Sequence, residues 1–277
     1  MNVKFFEAKR VYLMKKIPFT HKVFTNVHLL DIIVSVPKES ELARKDLKFM
    51  EEQELRQQIC DICNKMWQLG WVAANDGNVT AKIGEQRFLA TPTGISKSFI
   101  TPDKLLVVNE KGEILEGATG YAPSSEIKMH LRCYEERADV GAVVHAHPPT
   151  ATGFALAQIP LDSYSLIESA IAIGSVPITP FGTPSTEEVP NSIAPYLDEH
   201  DVLLLENHGA LTVGSDVLTA YYRMETLELC AKTIFVARTL KQGTPEQEIP
   251  REKLAELIKM RSGYKITGKH PGYKKYS

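Results

Sequence analysis

The chain has 277 residues, of which 43% are hydrophobic and 24% charged, the usual balance of a globular protein with a substantial core. Its 32 basic and 34 acidic residues leave a net charge of -2, which argues against a general nucleic-acid binder. No stretch approaches the roughly 18 apolar residues that a membrane span requires, so we expect no membrane partner either.

Residues 1–49 differ in composition from the rest of the chain. Basic residues are frequent at the start, and no helical or strand period persists. The most apolar stretch, 27–36, is interrupted by Asp31 and lacks the cleavage site of a signal peptide. Met50 and the polar residues after it are typical of the beginning of a domain. We therefore predict an N-terminal extension over 1–49, compatible with disorder, and a folded domain over 50–277.

The first half of the domain alternates a helix with hairpins. Apolar residues from Leu55 to Met66 follow helical spacing, and Gly70 is placed to end that helix. Turn residues then separate short apolar runs, which predicts strands over 79–83, 87–91, 105–108 and 113–115. A helix is predicted from Ser124 or Ser125 to about Arg137.

The second half mixes strands and helices. We predict strands over 140–147, 167–173, 176–179, 201–206 and 210–213, and helices over 150–158, 215–240 and 251–260. Hairpin-connected strands flanked by helices favour a layered α/β domain with a mixed or largely antiparallel sheet.

The four cysteines are too few for a disulfide framework in a chain of this length, which fits a reducing cytoplasm. Cys60 and Cys63 form a C-x-x-C pattern, but no second pair completes a zinc knuckle and the pattern lies inside a predicted helix. We interpret both as small core residues on one helix face.

Three histidines end two of the apolar strands. In His145-Ala-His147 the imidazoles are two residues apart, so on a strand both point to one face. Alone, such a pair is more often two unrelated polar residues. His208 changes that interpretation, because it follows another buried strand and precedes Gly209, which permits close approach. Three histidines with one open position are the ligand set of a catalytic zinc site.

Several polar turns lie between these histidines and the first helix. Glu126 follows Ser124 and Ser125 at a predicted helix start, where the helix dipole favours a carboxylate and hydroxyl or N–H groups can bind phosphate. The segments around Gly77 and Gly94 are equally well explained by ordinary turn chemistry.

In combination these motifs resemble the class II aldolase/adducin family. The motifs occur in the family's order over about residues 51–247, and most resemble its L-fuculose-phosphate aldolase branch: Gly77-Asn78, Thr91-Pro-Thr-Gly94, Pro123-Ser-Ser-Glu126, His145-Ala-His147 and Asn207-His-Gly209. The resemblance implies an α/β/α fold around a mixed, mostly antiparallel sheet. It also implies one zinc ion per subunit, a phosphorylated ketose as substrate, and a homotetramer with active sites between subunits.

The resemblance also assigns roles to individual residues of the predicted catalytic domain. His145, His147 and His208 would bind zinc, with Glu126 as a further ligand in the empty enzyme and as the catalytic acid/base. Tyr164 would shape the aldehyde site, and Tyr264 would be a mobile C-terminal catalytic tyrosine, although the tail around it departs from the family pattern. A neutral phosphate site, without a committed Lys or Arg, would be formed by Gly77, Asn78, Thr93, Gly94, Ser124 and Ser125.

Other activities in the family remain open at this stage. An L-ribulose-5-phosphate 4-epimerase is the first alternative, although that branch resembles an Asp at the position of Glu126. A sugar-acid-phosphate decarboxylase and a methylthioribulose-phosphate dehydratase are further alternatives. A non-catalytic, adducin-like scaffold is a different class, but such domains lack the metal-binding histidines that this chain keeps.

Overall fold

The computed structural model describes residues 41–270, with side chains from residue 49 onward. Most of the predicted extension over 1–49 therefore lies outside the described residues. The described residues from Lys48 onward form one compact unit, which contains the sheet and the site. Within the described residues no helix combines the length and the apolar character needed to cross a membrane.

The centre of the unit is one eight-stranded sheet in the order β4-β3-β2-β1-β5-β8-β7-β6. Neighbouring strands are antiparallel except for the parallel pair of β6 and β7, so the sheet is mixed and mostly antiparallel, as predicted. The strands are β1 Asn78–Gly84, β2 Arg87–Ala90, β3 Leu106–Val108, β4 Ile114–Glu116, β5 Ala142–Ala146, β6 Ile178–Thr179, β7 Val202–Leu205 and β8 Gly209–Gly214.

The described range contains six α-helices, of which the first five pack on the sheet and the last packs against the turn over Ser169–Ile173. They are α1 Glu41–Gln68, α2 Ile127–Glu136, α3 Pro149–Leu156, α4 Glu188–Leu197, α5 Val217–Leu240 and α6 Arg251–Met260. Gly70 follows α1 with a φ of +72°, the left-handed conformation that commonly ends a helix.

Alternation along the strands produces a core on each face of the sheet. Val143 and Val144 are neighbours in β5, yet they belong to different apolar clusters because successive side chains point to opposite faces. One cluster joins the sheet to α1, α3 and α5, and the other joins it to α2 and α4. The predicted three-layer α/β/α architecture is therefore confirmed. Cys60 and Cys63 lie in the first core, where burial raises the pKa of each thiol to about 12.

The structure differs from the prediction in two elements. Residues 167–173, predicted as a strand, contain a π-helical turn over Ser169–Ile173 that ends at Gly174, whose φ is +70°. Helix α4 was not predicted, because Pro190 and Pro195 interrupt its sequence. Pro190 is accommodated in the first turn, where backbone N–H groups have no partner within the helix.

We propose that the residues before Met50 are dispensable for folding. Phe49 and Met50 are 64% and 47% exposed, and the first buried side chain described in α1 is Arg56, which donates to the Leu105 carbonyl. A chain starting at Met50 should therefore keep its circular-dichroism spectrum and cooperative unfolding. A chain starting at Asp61, which lacks Arg56 and the core residue Ile59, should be strongly destabilised. Unfolding of the first variant would show that the extension belongs to the domain.

Candidate active site

The three predicted histidines meet at one end of the β5–β8 pair. His145 lies opposite Leu211 in the antiparallel register, His147 follows the end of β5, and His208 directly precedes β8. Their ring centroids are 4.7 to 5.0 Å apart. One ring nitrogen from each lies within 4.8 Å of the others, which is close enough for all three to bind one metal ion.

Backbone contacts set the orientation of the imidazoles. His145 is fully buried, and its Nδ1 donates to the Ala210 carbonyl at 2.9 Å, which leaves Nε2 unprotonated and directed into the cluster. The Nε2 atoms of His145 and His147 are 3.1 Å apart. Burial lowers the pKa of each of these two imidazoles to about 4, so both are neutral at physiological pH. Neutral imidazole is the form that binds metal ions.

Glu126 brings a carboxylate to the same cluster. Its Oε1 lies 3.1 Å from His208 Nε2, its Oε2 lies 3.5 Å from His145 Nε2, and Asn78 donates to Oε2 at 2.7 Å. Burial alone would raise the pKa of Glu126, but the imidazoles of His145 and His208 and the Asn78 amide outweigh it and hold the pKa well below its usual range. The predicted helix start at Ser124 or Ser125 would place Glu126 in the first turn. In the structure Glu126 lies immediately before α2, at its N-cap position.

The donor set therefore fits a metal ion. Three imidazoles leave one tetrahedral position open, and the adjacent carboxylate can occupy that position or act on a bound molecule. The hydrogen bond from His145 to a backbone carbonyl is the kind of outer contact that orients metal-binding histidines.

Gly209 allows the two histidine-bearing segments to approach. A Cβ atom at this position would lie 2.5 Å from His147 Cδ2 and 2.6 Å from the Ala146 carbonyl oxygen. Asn207, two residues earlier, has a φ of +54°, so the chain turns tightly before β8. The close passage of β8 beside the end of β5 thus depends on a residue without a side chain.

Gly209→Ala should therefore destabilise the protein by about 1–3 kcal/mol through overpacking and should displace His147 from the cluster. Urea unfolding and the metal content of the purified protein measure the two effects. Gly153→Ala is the matched control, because a Cβ in α3 meets no atom within 4 Å and alanine favours a helix. Equal stability and metal content in the two variants would contradict the packing argument.

The six residues predicted to hold phosphate lie on three connected loops. An isolated bridge pairs Pro92 with Pro123, and Thr93 donates its backbone N–H to the Ala122 carbonyl at 2.9 Å. This pairing brings the loop of Thr93 and Gly94 to the loop that carries Ser124, Ser125 and Glu126. Asn78, which follows Gly77, donates to Ser124 Oγ at 3.2 Å. This bond connects the segment of Gly77 and Asn78 to the loop that carries Ser124.

Two residues of this region were not identified from the sequence. Asn75 accepts the Gly94 N–H at 2.5 Å and donates to Thr93 Oγ1 at 3.1 Å. Lys97 is only 2% exposed, and its ammonium donates to the backbone carbonyls of Asn75 and Ile95. Asparagine in a turn and lysine in a serine-containing loop are both typical of solvent-exposed surface, so the sequence carried no signal for either.

The two tyrosines predicted to be catalytic lie in other surroundings. Tyr164 is 1% exposed in a small apolar cluster with Leu254 and Ile258, and its hydroxyl accepts the Ser175 N–H at 3.1 Å. Tyr264 follows α6 and is 60% exposed. The contacts that join Glu126 to the histidines are thus made without them, and their catalytic roles stay predictions.

Comparison with known proteins links this arrangement to a family of enzymes. The model of the Class II Aldolase and Adducin N-terminal domain matches residues 57–235. The chain is 32% identical over 190 residues to 3-oxo-tetronate 4-phosphate decarboxylase of Escherichia coli K12, covering 67% of this chain and 88% of that protein. It is 29% identical over 215 residues to 5-deoxy-D-ribulose 1-phosphate aldolase of Bacillus thuringiensis, covering 76% and 97%. A solved L-fuculose-1-phosphate aldolase from Thermus thermophilus is 30% identical with a TM-score of 0.60, covering 70% of this chain and 98% of that one.

Proposed function

The chain belongs to the class II aldolase and adducin family, and from that premise we propose that it is a zinc-dependent aldolase. Its substrate would be a ketose 1-phosphate of the L-fuculose 1-phosphate type, cleaved reversibly to dihydroxyacetone phosphate and a small aldehyde such as lactaldehyde. One observation carries the proposal: the Glu126 carboxylate lies between two imidazoles of a three-histidine cluster and next to the loops predicted to hold phosphate.

Zinc is the proposed metal because three imidazoles with an open position are typical of catalytic zinc sites. His145, His147 and His208 would hold it, with Glu126 as a further ligand before substrate binds. When bound, the metal supplies a Lewis acid that stabilises the negative charge developing on the substrate oxygens.

Glu126 is proposed to move the proton. Aldol cleavage breaks the bond between the carbon next to the ketone and the carbon beyond it. The hydroxyl on the far carbon loses its proton to form the aldehyde, the carbon next to the ketone gains a proton, and condensation requires the reverse. The depressed pKa of Glu126 keeps it ionised, as a base must be, while Asn78 holds Oε2 in place. Oε1, which Asn78 does not hold, can then turn toward a substrate that displaces it from His208.

The three connected loops would bind the substrate phosphate. The hydroxyls of Thr93, Ser124 and Ser125 are donors of the kind that a phosphate accepts. Binding of a group remote from the reacting bond orients the substrate and lowers the entropic cost of reaching the transition state.

Product analysis with a panel of ketose 1-phosphates tests the proposal. Purified enzyme loaded with zinc should release dihydroxyacetone phosphate from at least one member, and the reverse condensation should consume it with a matching aldehyde. The unphosphorylated sugars serve as controls, because they lack the group that the loops would bind. Absence of cleavage across the panel would reject the aldolase.

A sugar-acid-phosphate decarboxylase is the second candidate. It is favoured by the 32% identity to the 3-oxo-tetronate 4-phosphate decarboxylase of Escherichia coli. Both reactions break a bond to the carbon next to a ketone and leave the electron pair on that carbon, so the same histidines and Glu126 would serve either. Release of carbon dioxide from 3-oxo-tetronate 4-phosphate, without dihydroxyacetone phosphate from any ketose, would select this candidate.

We also propose that the enzyme is a cytoplasmic homotetramer with active sites between subunits. The described cysteines are free and buried, which supports the cytoplasmic location.

The tetramer is supported by large apolar side chains that are exposed along α5 in the single chain, among them Leu229, Phe235 and Leu240 at 58%, 57% and 80%. Patches of this kind commonly mark subunit interfaces. Light scattering after gel filtration should give a mass near four chains, and a monomer would reject the assembly.

A further inference from the structure

Lys97 is a buried cation beneath the loops predicted to hold phosphate. It opens the short 3₁₀ turn Lys97–Phe99, three residues after Gly94, and it is 2% exposed. Its ammonium donates to the carbonyls of Asn75 at 3.2 Å and Ile95 at 3.4 Å. Among the residues that the structure describes, no carboxylate lies within ion-pair distance of it; Asp76 and Glu126 act on it only at longer range.

A buried charge without a paired counter-ion is costly, since dipoles replace only part of its hydration. The same arrangement has a clear use if an anion arrives with the substrate. One carbonyl that contacts Lys97 belongs to Ile95, directly after Gly94, and the other belongs to Asn75, in the loop before β1. Asn75 extends this link, because its side chain bonds both Gly94 and Thr93.

We infer that Lys97 is a positioning residue of the phosphate subsite: it ties the Asn75 and Ile95 carbonyls together beneath the loop, and the substrate phosphate offsets its charge. The inference rests on the proposed function, in which these loops bind phosphate. The sequence predicted a neutral phosphate site without a committed Lys or Arg. With Lys97 in this role, neutral donors would line the site and a positive charge would lie beneath them. Lys97 acts through Asn75 and the loop and takes no part in proton transfer.

The test compares binding of inorganic phosphate by the zinc-loaded full chain and its variants. Lys97→Gln keeps hydrogen-bond donors toward the carbonyls but removes the charge, Lys97→Met removes both, and Lys97→Arg keeps the charge. Lys104→Gln is the matched control, because Lys104 also donates to a backbone carbonyl, that of Phe99, but at the surface. Calorimetric titration gives the affinity. The phosphate-induced rise in Tm, taken relative to each variant's own unliganded Tm, gives a second readout that tolerates altered stability.

Lys97→Gln and Lys97→Met should bind phosphate about tenfold more weakly or worse, whereas Lys97→Arg and Lys104→Gln should stay close to wild type. With a cleaved ketose phosphate, Lys97→Gln should raise KM more than it lowers kcat. If Lys97→Gln does not fold, the phosphate affinity of Lys97→Met tests the role of the charge. Unchanged phosphate affinity in a folded neutral variant would overturn the role of Lys97 and leave the aldolase untouched. A wild-type enzyme that neither binds phosphate nor cleaves any ketose phosphate would overturn both.

Discussion

Glu126→Gln is expected to lower kcat by about 10²- to 10⁴-fold while changing substrate affinity much less, the usual effect of removing acid/base catalysis. Glutamine keeps the shape of the side chain and its contact with Asn78, but it cannot accept a proton. The wild-type carboxylate is ionised and close to the cluster, with Oε1 3.1 Å from His208 Nε2. Steady-state kinetics and zinc content are measured on the same preparation, because Glu126 is also a proposed ligand.

The sharpest readout is exchange of the dihydroxyacetone-phosphate C–H proton with deuterated water, which reports proton transfer without bond formation. Wild type should catalyse this exchange and Glu126→Gln should not. Glu135→Gln, at an exposed position on α2, is the matched control. Undiminished exchange in Glu126→Gln with zinc still bound would assign the base to another residue, and Tyr164 or Tyr264 would be tested next. Interconversion of pentulose phosphates without exchange would instead support an epimerase.

Replacing both His145 and His147 by alanine should reduce bound zinc from about one ion per chain to near zero and abolish turnover. Only His208 and Glu126 would remain of the four proposed ligands, and two groups do not complete a tetrahedral site. Elemental analysis of dialysed protein measures the metal, and the ketose-phosphate assay measures activity.

His200→Ala is the control for this experiment. His200 also donates its Nδ1 to a backbone carbonyl, that of Ser175 at 3.1 Å, but it lies outside the three-histidine cluster. The His200→Ala variant should keep about one zinc ion per chain. Equal zinc in the double variant and in wild type would remove the metal site from the proposal.

Much of the fold could be predicted because local patterns agree with the final packing. The hairpin of β1 and β2 and helix α6 follow directly from turn residues and helical spacing. Residues 167–173 were predicted wrongly because a short apolar run has the same appearance in a strand and in a buried helical turn. Tertiary packing decided between them, and the sequence signal for α4 was removed by Pro190 and Pro195.

The site shows a similar division. The histidines could be found because histidine is scarce, chemically specific and placed here at strand ends, and Glu126 was identified through the resemblance to the family. Asn75 and Lys97 could not, since their importance comes from contacts between loops that meet only in the folded chain. A lysine is usually exposed, and only the structure shows this one with 2% exposure.

The pairing of β5 with β8 has a consequence for folding. His145 and its partner Ala210 are 65 residues apart in sequence, and a slip of one residue in this register would turn His145 to the opposite face. Such a distant pairing forms only after a large loop has closed, so the unfolded chain holds no preformed metal site. An ion that binds the native state alone stabilises it by mass action, about 2.7 kcal/mol at a hundredfold excess over its Kd. Metal supply is therefore expected to raise the free energy of unfolding of the chain as well as its activity.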